Sequence, residues 1–406
     1  MSVRPAEDMA TIKFDTLLFR KERSELVLTL LNLFELRIPA KKLDRIGSWS
    51  CTPHSITFEG VSEKTAAKFH FLFTTHLPTL KNKINGRPVV YIHQNSGIPL
   101  YGNLYFGITD KGSDIIEVKP ITGCNASCIF CSVGEGPTGN RERDFVIEED
   151  YLARETVKLL DYKQKPVTIY INPHGEPLLY ADLPKLVEDI KKSPYCKKVV
   201  VITNGMMLSP PFVDKLATSG LDQINLSLSS TDATQAKALM GTDAYRVERI
   251  MEFARYIIDK TPITLTINPV YLKGINNDAM SPIIEFAKSI GCKFIGIQNY
   301  IRHDRGKKVA EELSWDAFRQ ELAALEGKHG VTLVHDTVLD DTRELTVPFK
   351  HGDVVTAQIM CPGRIGNERI AVAKGRSILV RTDKDKGSVN VRIKRSQHNT
   401  FVGEIV

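Results

Sequence analysis

Residues 115–131 read IIEVKPITGCNASCIFC, a β-branched run followed at once by three cysteines within eight residues. The run has the composition of a buried strand, so we expect Cys124, Cys128 and Cys131 to lie on the loop that follows it. Each iron of a cubane iron–sulfur cluster takes a soft ligand, usually a cysteine thiolate, and three thiolates leave one iron open. The stretch therefore predicts a [4Fe-4S] cluster as the metal centre.

Two other uses of the three cysteines stay open at this point. With a distant fourth ligand they would form a structural zinc site, although the second cysteine pair usual in such sites is absent. They would otherwise be free thiols. The remaining cysteines, Cys51, Cys196, Cys292 and Cys361, stand far apart. This uneven placement disfavours a disulfide scaffold and favours a reducing compartment.

The sequence around the cysteines is a regular succession of short strands and amphipathic helices. It starts with IIEVKPIT and EEDYLARETVKLLD and ends with KFIGIQN and SWDAFRQELAALEG. Successive strand–helix units form a parallel sheet with right-handed crossovers. We therefore predict an α/β fold, a partial (βα)6 TIM-like barrel over residues 115–330, with its chemistry on the loops after the strands.

The two regions that flank this succession have different sequence patterns. Residues 1–114 mix alternating segments with one helical segment, which predicts an N-terminal α+β domain without a catalytic pattern. Residues 331–406 contain five short strand patterns separated by Gly, Asp and Lys turns. Five short strands predict a small C-terminal antiparallel β-barrel of the OB or TRAM kind.

Composition places the chain among cytoplasmic globular proteins. Hydrophobic residues make up 42% and charged residues 25% of the 406 residues, a mixture typical of folded domains. No stretch reaches the roughly 20 apolar residues of a membrane span. The first 15 residues lack the apolar core of a signal peptide. We therefore expect a cytoplasmic protein without a membrane partner.

Positive charge is concentrated near the C-terminus. Residues 364–395 contain ten Lys or Arg against three acids, a local charge of +7 compared with +6 for the whole chain. Such a region predicts a phosphate-binding surface, with solvated strand faces as the alternative. The candidate nucleic-acid-binding residues are Arg364, Arg369, Lys374, Arg376, Arg381, Arg392, Lys394 and Arg395.

The cysteine spacing, with Phe130 directly before the last cysteine, resembles the radical S-adenosylmethionine (SAM) superfamily. The resemblance covers about half of the chain, residues 115–327, and extends to uncharacterised archaeal radical SAM proteins of this length. It implies a [4Fe-4S] cluster and SAM as cofactors, and an electron donor such as a ferredoxin or flavodoxin. In such enzymes electron transfer cleaves a C–S bond of SAM and gives a 5′-deoxyadenosyl radical.

The resemblance also implies which residues contact SAM. NPHGEP, residues 172–177, is similar to the GGEP motif of the family, although His174 departs from its glycine. ITNG and NLSLS, which begin at Ile202 and Asn225, resemble strand-end motifs of the family. For Asn276, a further candidate, and for Lys237 a purely structural role such as capping a turn is the favoured alternative. The implied cofactor-binding residues are Phe130, Gly175, Glu176, Pro177, Asn204, Ser227, Lys237 and Asn268.

The superfamily does not fix the substrate, because one fold hosts many reactions. The basic C-terminal module resembles the TRAM domains of tRNA-modifying enzymes, so RNA modification, above all of tRNA, is the leading hypothesis. CIFCSVGEGPTGNR, from Cys128, also resembles RNA methyltransferases of the superfamily, but residues 112–123 lack their second cysteine. Alternatives are a small-molecule or peptide substrate, and a non-catalytic iron–sulfur or zinc adaptor. No residue is assigned as catalytic.

Overall fold

The computed structural model describes residues 9–14, 16–59, 62–171, 174–304, 306–334 and 339–406, without the side chain of Ser62. The chain divides into two compact units, one of Met1–Tyr91 with Glu142–Val146 and one of Ile92–Arg141 with Ile147–Val406. The division at residue 91 falls ahead of the predicted boundary at 114. No helix of the described residues is long and apolar enough to cross a membrane.

The first unit combines two antiparallel sheets with one long helix. Its elements are β1 (Met9–Lys13), β2 (Leu17–Glu22), β3 (Glu25–Leu30), β4 (Phe34–Pro39), α1 (Ala40–Leu43), β5 (Trp49–Thr52), β6 (Ser55–Glu59), α2 (Ser62–His76), β7 (Lys81–Asn82) and β8 (Val89–Ile92). The sheets have the orders β2-β3-β4-β7 and β1-β6-β5. Phe58 and Phe69 are fully buried and pack ring to ring, 5.7 Å between centroids, so the helix covers a sheet through aromatic contacts.

The second unit is built on a sheet of seven strands. The elements from residue 107 to residue 329 are β9 (Gly107–Asp110), β10 (Ile115–Lys119), β11 (Asp144–Ile147), α3 (Glu149–Lys163), β12 (Val167–Ile171), α4 (Leu183–Lys191), β13 (Cys196–Thr203), α5 (Pro210–Thr218), β14 (Gln223–Leu226), α6 (Ala233–Met240), α7 (Val247–Lys260), β15 (Thr264–Ile267), β16 (Val270–Tyr271), α8 (Met280–Ser289), β17 (Phe294–Ile295), β18 (Gln298–Asn299) and α9 (Trp315–His329). The sheet order is β17-β15-β14-β13-β12-β10-β9. Strand β11 pairs instead with β8, and most of both strands belongs to the first unit.

Six of the seven strands are parallel and follow one another in chain order, as the strand–helix succession predicted. The helices bury apolar stripes against them; in α7, for example, Ile250, Ala254 and Ile257 are buried at helical spacing. Strand β9 differs from the prediction, because it joins the sheet antiparallel to β10 rather than the N-terminal domain. The parallel strands bring their carboxyl ends to one edge, where the loops that follow them meet.

The C-terminal residues form a closed five-stranded barrel. Its strands are β19 (Val354–Pro362), β20 (Glu368–Ala373), β21 (Arg376–Arg381), β22 (Gly387–Gln397) and β23 (Thr400–Ile405), in the order β19-β20-β21-β23-β22. The five predicted strands are thus present. The prediction of a purely antiparallel barrel is wrong for one pair, since β21 and β23 run parallel.

The barrel packs on the rest of the second unit through β21. The Ser377 hydroxyl donates to the Pro99 carbonyl at 2.8 Å, and the Ser377 N–H donates to the Tyr101 carbonyl at 2.8 Å. Gly102 has φ +104, and a side chain there would begin 2.2 Å from the Ser377 carbonyl oxygen. Only glycine permits this approach of two backbones. The barrel therefore belongs to the same compact unit as the parallel sheet.

Candidate functional site

The loop after β10 carries the three cysteines and is held by the end of α6. The Ser127 N–H donates to the Met240 carbonyl at 3.0 Å, and the Ile129 N–H donates to the Leu239 carbonyl at 2.9 Å. Gly241, which ends α6 in the left-handed conformation, leaves room for the Ser127 carbonyl, which lies 2.2 Å from where a side chain would start. The loop is therefore fixed by backbone contacts on both sides of Cys128.

The three cysteines line one end of a cavity of about 600 Å³ at the carboxyl edge of the sheet. Burial raises the pKa of the Cys124 thiol, and it raises that of Cys128 to about 12. Lys307, whose Nζ donates to the Ser127 carbonyl at 2.6 Å, opposes the shift at Cys128. The Cys124 and Cys128 thiols are therefore protonated at neutral pH until a metal displaces the protons.

The three cysteine sulfurs are spaced more widely than the ligands of a single zinc ion. Tetrahedral zinc bound at about 2.3 Å brings its ligand atoms within about 4 Å of one another. Among the described residues, the three cysteine sulfurs are not gathered within 4.8 Å of one another. The Tyr245 hydroxyl is buried, with no hydrogen-bond partner in the described chain, and burial, with a smaller effect from the nearby Cys128, raises its pKa. Three cysteine thiolates as soft metal ligands, with the Tyr245 hydroxyl nearby as a hydrogen-bond donor, suit an iron–sulfur cluster.

Glu176 connects three strand ends at the cavity. Its carboxylate accepts from the Thr203 hydroxyl at 2.6 Å, the Asn204 N–H at 2.9 Å and the Leu178 N–H at 3.0 Å. Its own N–H donates to the Gly123 carbonyl at 2.9 Å, which ties it to the cysteine loop. Burial raises the pKa of Glu176 to about 7, opposed by these donors. The carboxyl is thus shared between ionised and neutral forms near neutral pH.

The structure brings most of the implied SAM contacts together. The residues of that set that line the cavity with the cysteines are Phe130, Gly175, Glu176, Asn204 and Ser227. Asn204 also donates to Asn125 Oδ1 at 2.8 Å, beside the first cysteine. Asn172 and Pro173 of the GGEP-like segment lie outside the described residues.

Other implied contacts lie away from the cavity. Pro177 is buried at the start of a short 3₁₀ helix, and Lys237 is half-buried in the last turn of α6. Asn268 donates to the Gly296 carbonyl at 3.3 Å and does not line the cavity. Asn276 is buried and donates to two carbonyls, including that of Val270 at 2.9 Å, so it stabilises a turn.

Sequence reasoning missed the other end of the cavity. It is lined by residues from β18, the segment after it and the start of α9, namely Gln298, Asn299, Tyr300, His303, Trp315 and Phe318. The Trp315 side chain is 58% exposed and stands edge-on to Phe318, with centroids 6.1 Å apart. The signal available was a tryptophan directly after Ser314, which caps the N-terminus of α9. A large apolar ring exposed beside a cavity is typical of a ligand site.

The basic C-terminal residues divide into buried and exposed groups. Arg364 is fully buried and paired with Glu135, so its assignment to a phosphate-binding surface is wrong. Arg369 donates to three backbone carbonyls and pairs with Asp385, and Arg376 donates to carbonyls and to Asn399. The exposed members are Lys374, Arg381, Arg392, Lys394 and Arg395.

Four of the exposed residues lie on β21 and β22, and Lys374 lies in the turn before β21. Arg381 and Arg392 are both cross-strand neighbours of Glu404 in β23, and Lys394 pairs with that carboxylate at 2.8 Å. The face of β20 and β21, which OB folds commonly use for oligonucleotides, is mostly buried here. The basic side chains that remain exposed on the barrel are therefore Arg381 at the end of β21, those of β22, and Lys374.

The chain resembles known proteins in sequence and in structure. A family model described as the radical SAM superfamily matches residues 118–287. The chain is 31% identical over 365 residues to an uncharacterized protein of Methanocaldococcus jannaschii, with 80% of this chain and 83% of that protein aligned. It is 28% identical over 225 residues to the GTP 3',8-cyclase of Chlorobaculum tepidum, with 53% of this chain and 64% of the cyclase aligned. The alignment thus spans less than two thirds of the cyclase. Among solved structures, Streptococcus suis SuiB bound to S-adenosylmethionine aligns with a TM-score of 0.44 at 18% identity, over 78% of this chain and 69% of SuiB.

Proposed function

Because this chain belongs to the radical SAM superfamily, whose members bind a [4Fe-4S] cluster and SAM, we propose that it modifies an RNA nucleoside, with tRNA as the foremost substrate. Cys124, Cys128 and Cys131 are the ligands we assign to the cluster. When bound, the cluster supplies the electron that cleaves a C–S bond of SAM, and an external donor such as a ferredoxin or flavodoxin replaces that electron.

Glu176 is the residue we assign to the amino group of SAM. An ionised carboxylate has about four acceptor sites, and three of those on Glu176 are taken by Thr203, Asn204 and Leu178. The fourth can accept from an ammonium group in the cavity. Because the donors that use the first three sites fix the carboxylate, the fourth site is pre-oriented.

The exposed basic strip of Arg381, Arg392, Lys394 and Arg395 carries the assignment to RNA. Arg381 and Arg392 project from neighbouring positions across β23, on the outside of a barrel that shares a compact unit with the cavity. Lys and Arg on such a surface bind phosphates and make affinity depend on salt. Glu404 offsets part of the charge, since its contact with Lys394 lowers the Glu404 pKa and keeps it ionised.

Trp315 gives the substrate end of the cavity a surface suited to a nucleobase. Bases stack on exposed aromatic rings with little dependence on sequence, and the more than half-exposed Trp315 offers such a ring. Asn299 and His303 line the same end and can form polar contacts with a base or ribose. A flat, nitrogen-rich substrate fits this end better than an aliphatic one.

A small-molecule or peptide substrate is the second candidate, and the relatives favour the small molecule. The chain aligns over about half its length with GTP 3',8-cyclases from several organisms, which act on a nucleotide. A free nucleotide would use Trp315 in the same way as an RNA base. A free nucleotide would not need the basic strip. Charge reversal in the strip should therefore impair an RNA-modifying enzyme and leave an enzyme with a free-nucleotide substrate unaffected.

The test is SAM cleavage by the anaerobically reconstituted protein reduced with dithionite, followed through 5′-deoxyadenosine and methionine. We expect cleavage that is absent in Cys128→Ala and stimulated by bulk tRNA, with the modified nucleoside found by mass spectrometry. Arg381→Glu combined with Arg392→Glu should weaken tRNA binding and flatten its salt dependence. The expected change in log–log slope is roughly 0.7–0.9 for each phosphate that the variant no longer neutralises.

The matched control combines Lys158→Glu with Lys192→Glu, an equal charge reversal on exposed lysines of the helical layer. It should leave tRNA binding almost unchanged. Cleavage without any tRNA effect would move the small-molecule proposal ahead. Cluster binding without SAM cleavage would refute the enzymatic proposal itself.

A further inference from the structure

Glu135 joins the cysteine loop to the C-terminal barrel. Its backbone N–H donates to the Cys131 sulfur at 3.3 Å, four residues back in the loop. Its carboxylate accepts from both terminal nitrogens of Arg364, with 2.9 Å between Arg364 Nη2 and Glu135 Oε2. Both residues are buried, at 0% exposure for Arg364 and 2% for Glu135. A bidentate ion pair of this kind fixes the orientation of both the guanidinium and the carboxylate.

The barrel in turn fixes Arg364. The guanidinium lies over the Tyr105 ring, 5.6 Å from its centroid, and the Tyr105 hydroxyl donates to the Glu368 carboxylate at 3.0 Å. The neighbouring Gly363 N–H donates to the Glu368 carbonyl at 2.7 Å. Arg364 therefore takes its position from the connection between β19 and β20, which the barrel sets.

The contacts make one continuous path from the barrel to a cluster ligand. It runs from Arg364 through the Glu135 carboxylate to the Glu135 N–H and the Cys131 sulfur. Hydrogen bonds to the sulfurs are among the features that set the reduction potential of an iron–sulfur cluster. A donor directed at a thiolate sulfur favours the more electron-rich, reduced cluster, because the partial positive charge of the N–H offsets the added electron.

We propose that Arg364 is a positioning residue for the cluster: through Glu135 it holds a backbone N–H on the Cys131 sulfur and so raises the reduction potential. The inference rests on the cluster binding assumed in the proposed function and does not depend on the substrate. Arg364 acts through Glu135, which lines the cavity, and does not itself line it.

The experiment measures the midpoint potential of the reconstituted cluster by electron paramagnetic resonance, without SAM, substrate or RNA. Arg364→Lys keeps the charge but removes the two-pronged pairing. We expect the ratio of reduced to oxidised cluster at a fixed potential to fall about tenfold, which for one electron is about 59 mV. Arg376→Lys, on the same barrel and likewise over a tyrosine ring, 5.5 Å from the centroid of Tyr101, should leave the potential unchanged.

A second variant covers the case in which Arg364→Lys fails to fold or to bind iron. Tyr105→Phe keeps the ring under Arg364 and removes only the hydrogen bond to Glu368, so a smaller shift in the same direction is expected. If the variants that fold and bind iron have the wild-type potential, the proposal is overturned. A wild-type protein that binds no iron would instead overturn the cluster assignment of the proposed function.

Discussion

Gly241 ends α6 at the point where the cysteine loop passes closest to it, and its replacement by alanine tests how tightly that loop is held. The residue has φ +62, and an added Cβ would lie 2.2 Å from the Ser127 carbonyl oxygen. The left-handed conformation costs a non-glycine residue roughly 1–2 kcal/mol. Restoring an ordinary contact of 3.4 Å requires Ser127 to move by 3.4 − 2.2 = 1.2 Å, and such overpacking typically costs about another 1–3 kcal/mol.

Gly330 supplies a matched control, because it ends α9 with φ +63 and nothing lies within 4 Å of its added Cβ. Gly330→Ala should therefore cost only the conformational term, roughly 1–2 kcal/mol, and leave iron content unchanged. Gly241→Ala should cost roughly 2–5 kcal/mol in total and bind less iron, because Ser127 lies next to Cys128. Urea unfolding followed by circular dichroism gives the free energy, and iron per chain reports the loop. Equal losses of unfolding free energy and of bound iron in Gly241→Ala and Gly330→Ala would refute the reasoning.

Three further predictions concern the cavity and the core. Trp315→Ala should weaken binding of the base-containing substrate by about 1–3 kcal/mol while Trp315→Phe retains most of it, as measured by titration. The pKa of Glu176 is about 7 in the folded protein, compared with 4.5 in the unfolded chain. Its contribution to the stability of the metal-free fold is therefore complete below pH 4.5 and is lost as the pH rises through 7. The free energy of unfolding of the wild type should fall by about 3 kcal/mol between pH 4.5 and 7 through this residue, and Glu176→Gln should abolish that fall. A variant with the wild-type pH profile would contradict this. Lys163→Met should cost about 3–5 kcal/mol because it leaves Asp110 charged in the core. Adding Asp110→Asn should recover part of that stability, because it removes the charge and keeps an oxygen for the N–H groups of Gly112 and Leu345; thermal unfolding of both variants decides.

Features that depend on neighbouring residues were predictable from the sequence. The cysteine loop, the GEP segment and Asn204 each directly follow a strand of the parallel series, so chain order alone places them at one edge of the sheet. The five strands of the C-terminal barrel were likewise marked by alternation and turns. Strand order within that barrel was not, because the parallel pairing of β21 with β23 joins segments that are not consecutive.

Features that depend on distant contacts were not predictable. Arg364 belongs to a basic run and reads as a surface residue, yet its partner Glu135 lies 229 positions earlier. Charge composition cannot distinguish a buried arginine with a carboxylate partner from an exposed one. Trp315 was missed for a similar reason, since only the meeting of β18, α9 and the cysteine loop creates the cavity that it borders.

The long separation between Glu135 and Arg364 has a consequence for the biogenesis of the protein. Ribosomes add about 5–20 residues per second, so the 229 residues that separate the pair take roughly 10–45 s to synthesise. During that time Glu135 and the cysteine loop have been synthesised, but Arg364, the partner of Glu135, has not. The nascent chain therefore passes through a period in which the Glu135 carboxylate lacks its arginine partner, and synthesis of the barrel ends that period.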